Sequence, residues 1–105
     1  MNRKLTFTPT ADAQLTALEN NPAEAGTLKQ VRKTLKFLEA DPRHKSLHTH
    51  EWSSQGGANG ERLWEAYAQN NTPGAYRVFF HHGPDEVDGE KRAPVLTIVA
   101  ITPHP

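Results

Sequence analysis

Arg62-Leu-Trp-Glu-Ala-Tyr-Ala68, Ala75-Tyr-Arg-Val-Phe-Phe80 and Val95-Leu-Thr-Ile-Val-Ala-Ile101 decide the fold of this chain. Each run is rich in aromatic and β-branched residues, and turn formers separate the runs, so they read as strands. A buried sheet requires only their apolar members. Glu65, Arg77 and His104, the last just past the third run in Thr102-Pro-His-Pro105, are surplus to that requirement. They are therefore the first candidates for chemistry.

Upstream of these runs, Lys4-Leu-Thr-Phe-Thr8 alternates and predicts a short first strand with Leu5 and Phe7 on one face. Pro9 ends it, and Thr8 or Thr10 can cap a short helix whose apolar stripe is Leu15 and Leu18 and which stops at Asn20-Asn-Pro22. Leu28, Val31, Leu35 and Leu38 recur at spacings of three and four, the pattern of a second helix with one core-facing side. Lys29, Lys33 and Lys36 fall on its neighbouring stripe, and Asp41-Pro42 ends it. Leu47-His-Thr-His-Glu-Trp52 alternates again, predicting a strand with His48, His50 and Trp52 on one face. Ser53–Gly60 and the acidic stretch from Gly83 to Glu90 read as loops, and Asn70–Gly74 as a turn. The expected architecture is α+β: an N-terminal strand, an antiparallel helix hairpin, then a mainly antiparallel meander, all in one domain spanning residues 1–105.

Composition limits what such a domain can be. With 105 residues and a mean hydropathy of -0.73, the chain affords one thin core and a polar surface. No apolar run is long enough to span a bilayer, so no membrane partner is expected. With no cysteine, disulfides and thiolate metal sites are excluded, and a reducing cytoplasm is the simplest compartment. His48-Thr-His50 and His81-His82 could supply metal ligands, but without cysteines, HExxH or a carboxylate-rich ligand spacing neither a metal nor another cofactor is expected. The net charge is zero but unevenly placed. Six basic residues against two acids lie between Leu28 and His50, a locally basic stretch suited either to a polyanion or to solvating a helix.

The order of elements, together with Phe37-Leu-Glu-Ala-Asp-Pro-Arg-His-Lys-Ser-Leu47, Trp64-Glu-Ala-Tyr67, Tyr76-Arg-Val-Phe79 and Ile101-Thr-Pro-His104, resembles the RelE/ParE superfamily of toxin–antitoxin toxins over nearly the whole chain. The resemblance implies a RelE-like fold with a ribonuclease site on its open sheet face. It implies mRNA as substrate, cleaved without a metal and often on the ribosome, and a cognate antitoxin protein as partner, expected across the Leu28–Leu38 helix or the sheet face. Two other readings stay open: a ParE-like protein that binds DNA gyrase without chemistry, and a RelE-fold protein without toxicity.

Metal-free RNA cleavage requires a base for the 2′-hydroxyl, a counter-charge for the phosphate and an acid for the leaving 5′-oxygen. Arg77 occupies the position of the family's catalytic arginine, and its guanidinium fork suits phosphate; the simpler reading is a salt bridge at a sheet edge, to Glu65. His104 falls where branches of the family carry a catalytic residue, and imidazole suits a general acid. His50 or Glu65 is the candidate base, although the RelE branch itself tends to carry lysines in the Glu65 strand. Lys45, His48 and Tyr67 are candidate RNA contacts, Tyr67 by stacking on a base, with Lys29, Lys33 and Lys36 as further phosphate contacts. Trp52, Trp64, Tyr76, Phe79 and Phe80 read mostly as core, and His81 and His82 as surface.

Overall fold

The computed structural model describes residues 3–56, 60–70 and 73–104, with the backbone alone for 53–56. The middle of the Ser53–Gly60 loop, Asn71 and Thr72 of the expected turn, and Pro105 lie outside the described residues. Thr8 divides strand β1 (Lys4–Phe7) from helix α1 (Pro9–Glu19). Its hydroxyl oxygen accepts the Ala11 N–H at 3.1 Å, while Pro9 takes the first helical position, where no N–H is needed. The same hydroxyl donates to the Val99 carbonyl at 3.1 Å, tying the helix start to the last strand. Helix α2 (Ala25–Ala40) buries Val31, Leu35 and Leu38 as the spacing predicts. Thr34 on the same side is buried too, and its hydroxyl lies 3.0 Å from the Gln30 carbonyl and 3.3 Å from that of Tyr67. Among the described residues no helix is long and apolar enough to cross a membrane.

The remaining strands are β2 (His50–Gly56), β3 (Arg62–Tyr67), β4 (Tyr76–His82), β5 (Glu86–Asp88), β6 (Lys91–Ala93) and β7 (Val95–Pro103). With β1, strands β2, β3, β4 and β7 form a five-stranded sheet in the order β1-β7-β4-β3-β2, antiparallel except for β1 against β7, and β5 pairs with β6 in a separate two-stranded sheet. Helices α1 and α2 cover one face. Leu18, Val31, Leu35 and Leu38 meet Ala66, Val78, Phe80, Leu96, Ile98 and Ile101 there. The α+β architecture is as expected, with an antiparallel meander through β2, β3, β4 and β7.

One irregularity in β7 sets what the other face carries. Phe79 pairs with Ala100 but Phe80 pairs with Ile98, so Val99 is an extra residue on β7. A bulge reverses the alternation beyond it. Ile98 and Ile101 therefore both reach the helix-packed core, and Thr102 falls opposite Arg77. His104, whose N–H donates to the Ala75 carbonyl at 2.8 Å, continues that ladder on the face away from the helices.

Several local expectations change. The strand expected from Leu47 begins at His50, because Lys45–Leu47 forms a 3-10 turn that plugs Leu47 into the core. The His44 Nδ1 accepts the Ser46 N–H at 3.1 Å to start that turn, and His48 leaves it in the left-handed region at φ 47. His50 and Trp52 still share a face. Strand β2 runs to Gly56, into the stretch expected to be a loop. The acidic stretch is exposed as expected but supplies β5 and the turn of the β5–β6 hairpin, at Gly89 with φ +64, a conformation that suits glycine. Trp52 and Phe79 lie on the face away from the helices rather than in the helix-packed core, and their rings meet edge to face at 5.4 Å. His81 is buried rather than a surface residue.

Phe80 is wholly buried between the helices and the sheet. Phe80→Ala should cost about 3–5 kcal/mol and Thr8→Ala about 1 kcal/mol, measured as the shift in the urea-unfolding free energy.

Candidate active site

The register of β3 and β4 sets Glu65 opposite Phe79 and Tyr67 opposite Arg77, and His50 on β2 sets opposite Glu65. With His104 beyond β7, five polar side chains, those of Glu65, Tyr67, Arg77, His50 and His104, thus converge on the face without helices. Glu65 is at their centre with 0% exposure, an expensive place for a carboxylate unless cations and donors surround it. His104 Nδ1 lies 2.7 Å from Oε2. His50 Nε2 lies 2.6 Å from Oε1, a bent approach rather than a linear hydrogen bond. Arg77 Nε is 3.8 Å from Oε2 and likewise lacks a hydrogen-bond partner among the described residues.

Arg77 lies in the central strand, not at a sheet edge, and its side chain is 8% exposed. The guanidinium carbon stands 3.7 Å from the centre of the Tyr67 ring, a cation–π stack. Its Nη1 donates to the Gln69 carbonyl and, at 3.3 Å, to that of Tyr76. The salt bridge to Glu65 that the sequence suggested is present, but as a buried interaction. Gln69 reinforces this corner: Oε1 accepts the Tyr76 N–H at 3.0 Å and Nε2 donates to Thr27 Oγ1 at 3.3 Å.

The imidazoles differ in what they leave free. A carboxylate acceptor on His104 Nδ1 assigns that nitrogen the proton, on a side chain 44% exposed. Trp52 stands edge-on to this ring at 5.9 Å. His50, 46% exposed, has Nδ1 3.0 Å from the His48 carbonyl. A carbonyl only accepts, so Nδ1 carries a proton there, while Nε2 stands against the Glu65 carboxylate without a hydrogen bond. The His48 and His50 rings flank Tyr67, at 5.2 and 5.9 Å.

The structure thus brings together Arg77, His104, His50 and Glu65, with Tyr67 and His48 at their rim. It separates the other candidates. Lys29 and Lys36 are exposed on α2, in the helix layer. Lys33 borders a groove with Gln30, Phe37, Tyr67 and Gln69, near the Tyr67 end of the cluster. Lys45 lines a different cleft, with Arg43, His48, Trp64 and His82. Sequence reasoning missed Trp52 and Gln69 as neighbours of the cluster. Trp52 carried a signal, since it alternates with His50; Gln69 carried none. Among the described residues no group of three or more histidines and carboxylates is disposed to hold a metal.

No protein-family profile and no curated protein matches the sequence. The fold does have a solved counterpart: the structure of the YoeB dimer from Staphylococcus aureus matches over 100% of both chains, with a TM-score of 0.61 and 15% sequence identity. At that identity the likeness is one of fold, and it places the chain among α+β proteins of the RelE/YoeB architecture.

Glu65→Ala removes the counter-charge of a buried guanidinium and should destabilise the protein by about 3–5 kcal/mol, whereas Glu65→Gln, which keeps an acceptor for His104, should cost less; urea midpoints at constant pH compare the two. A second expectation concerns His82. Burial, then the charges of Arg3 and Arg43, hold its imidazole below the ordinary 6.5, against the opposite pull of Asp85. The folded protein thus disfavours protonated His82, while the unfolded chain takes the proton normally. The resulting loss of stability is absent above pH 6.5 and grows as the pH falls from there toward the folded midpoint. His82→Gln should therefore lose less stability than wild type between about pH 7 and 5, read from the same unfolding midpoints.

Proposed function

We propose that this protein is a RelE-type endoribonuclease toxin that cleaves mRNA by acid–base catalysis. The observation that carries the reading is a pair of half-exposed imidazoles, His50 and His104, placed against the two oxygens of one buried carboxylate. In this reading His104 is the general acid: Nδ1 is oriented by Glu65, and Nε2–H protonates the leaving 5′-oxygen. His50 is the base. Its Nδ1 must be released from the His48 carbonyl and deprotonated, with Nε2–H on Glu65, before it can accept the 2′-hydroxyl proton. The product is a 2′,3′-cyclic phosphate or the 3′-phosphate derived from it. Glu65 is buried and has both oxygens approached by imidazoles, so it acts through them rather than on the RNA. Arg77 places a cation beside the phosphate, and Tyr67 offers a face to a base.

The antitoxin expected for such a protein would be encoded in the neighbouring reading frame and would cover either the sheet face or α2. Action in the cytoplasm and on ribosome-bound mRNA belongs to the same reading.

His104→Ala should slow the chemical step by roughly two to four orders of magnitude with RNA affinity nearly unchanged. Arg77→Ala should lower both rate and affinity, since phosphate is contacted before and during the reaction. Single-turnover cleavage of free and ribosome-bound RNA measures both. Full activity of His104→Ala would refute the assignment of the acid. Growth arrest with intact transcripts and DNA damage would replace the ribonuclease reading with gyrase inhibition.

A further inference from the structure

A second gathering of cationic and imidazole groups lies on the other face of β3 and β4. Trp64 pairs with Phe80 there, and with His82 they floor a cleft of about 320 Å³. Its walls come from the segment after α2, chiefly Arg43, His44, Lys45 and His48. Arg43, Lys45, His48 and His82 are exposed, and Trp64 is half-buried with its ring 6.3 Å from that of His82.

The charges of this cleft are left uncompensated. Among the described residues neither Arg43 nor Lys45 has a carboxylate within 4.0 Å, nor does the neighbouring Arg3. The nearby Asp41 instead accepts the Arg43 backbone N–H at 3.0 Å. Arg3 and Arg43 both lie close enough to oppose a proton on His82, with Asp85 as the opposing acid. His44 adds a donor of fixed sense: Nδ1 accepts the Ser46 N–H, so in the neutral ring Nε2 carries the proton. Unpaired cations converging beside an indole suit a ligand with both an anionic group and an aromatic one.

The route from this cleft to the Glu65 cluster is short. His48 lines the cleft, and its ring also lies 5.2 Å from Tyr67, which carries the Arg77 guanidinium on its face. His48 reaches this position by adopting φ 47, a backbone region that a histidine occupies at a cost.

We infer that the cleft binds a phosphorylated nucleotide unit, its phosphate on Arg43 and Lys45 and its base against Trp64. Resting on the ribonuclease reading above, the unit is a nucleotide of the RNA strand flanking the scissile phosphate, led over the His48–Tyr67 rim. The locally basic stretch of the sequence thereby acts through the residues after α2 rather than through the lysines of α2 itself.

The test uses ¹⁵N-labelled full-length His104→Ala protein, titrated separately with a short single-stranded oligoribonucleotide, adenosine 5′-monophosphate, adenosine and inorganic phosphate. The Trp64 indole resonance is assigned by Trp64→Phe. The oligonucleotide and the monophosphate should shift it, and adenosine and phosphate should each bind at least tenfold more weakly than the monophosphate. Arg43→Ala with Lys45→Ala, both at exposed positions, should weaken the monophosphate at least tenfold with an otherwise unchanged spectrum and should lower the salt dependence of oligonucleotide binding. A Trp64 indole that stays in place while a saturating oligonucleotide shifts only Trp52 and the Glu65 face would overturn the inference. So would phosphate binding as tightly as the monophosphate. A wild-type protein that cleaves no RNA yet binds the monophosphate through Trp64 and Arg43 would sustain the cleft and overturn the endonuclease reading alone.

Discussion

A carboxylate with no solvent exposure organises the face of the sheet that the helices leave uncovered. Removing Glu65 from water costs several kcal/mol, and its placement is tolerable only because a guanidinium and two imidazoles approach it. That requirement reaches into the backbone. Strands β2, β3 and β4 must hold the register that sets His50 opposite Glu65 and Tyr67 opposite Arg77, and the chain end must return beside Ala75 to deliver His104. A one-residue slip in any of these pairings would strand a buried charge. The polar cluster therefore specifies the sheet as much as the sheet positions the cluster.

The two faces divide the labour. The helix-packed face carries the aliphatic and aromatic core that holds the fold together. On the opposite face Trp52 packs against Phe79 and His104, and the His50 and His104 imidazoles reach solvent while Glu65 stays dry. The half-exposed groups of this face remain available to a ligand.

Charge is placed unevenly on this protein of zero net charge. The lysines of α2 face solvent from the helix layer, and Lys33 also lies over the Phe37 ring at 5.9 Å. The cations after α2 instead surround a cleft next to the rim of the Glu65 cluster. Position, rather than total charge, sets which of them lie toward Arg77, through His48 and Tyr67. The YoeB dimer shares the architecture at 15% identity, so so few common residues suffice for the fold while the side chains on its faces are free to differ.

Much of this was legible in the residues. The period of Leu28, Val31, Leu35 and Leu38 identified α2, Thr8 and Pro9 marked the start of α1, and the apolar runs identified β3, β4 and β7, because helix and strand periodicities are local properties of a sequence. Local pattern also singled out Glu65, Arg77 and His104 as polar residues in or next to apolar strands. What it could not carry was parity and partnership. Uninterrupted alternation along β7 would put His104 on the same face as Ile98, toward the helices; the extra residue Val99 reverses that and delivers His104 to Glu65. Likewise nothing local to Leu47-His-Thr-His50 showed that Leu47 would be drawn into the core, turning the chain at His48. Those outcomes depend on hydrogen-bond pairing and burial between segments far apart in sequence, and only the tertiary structure decided them.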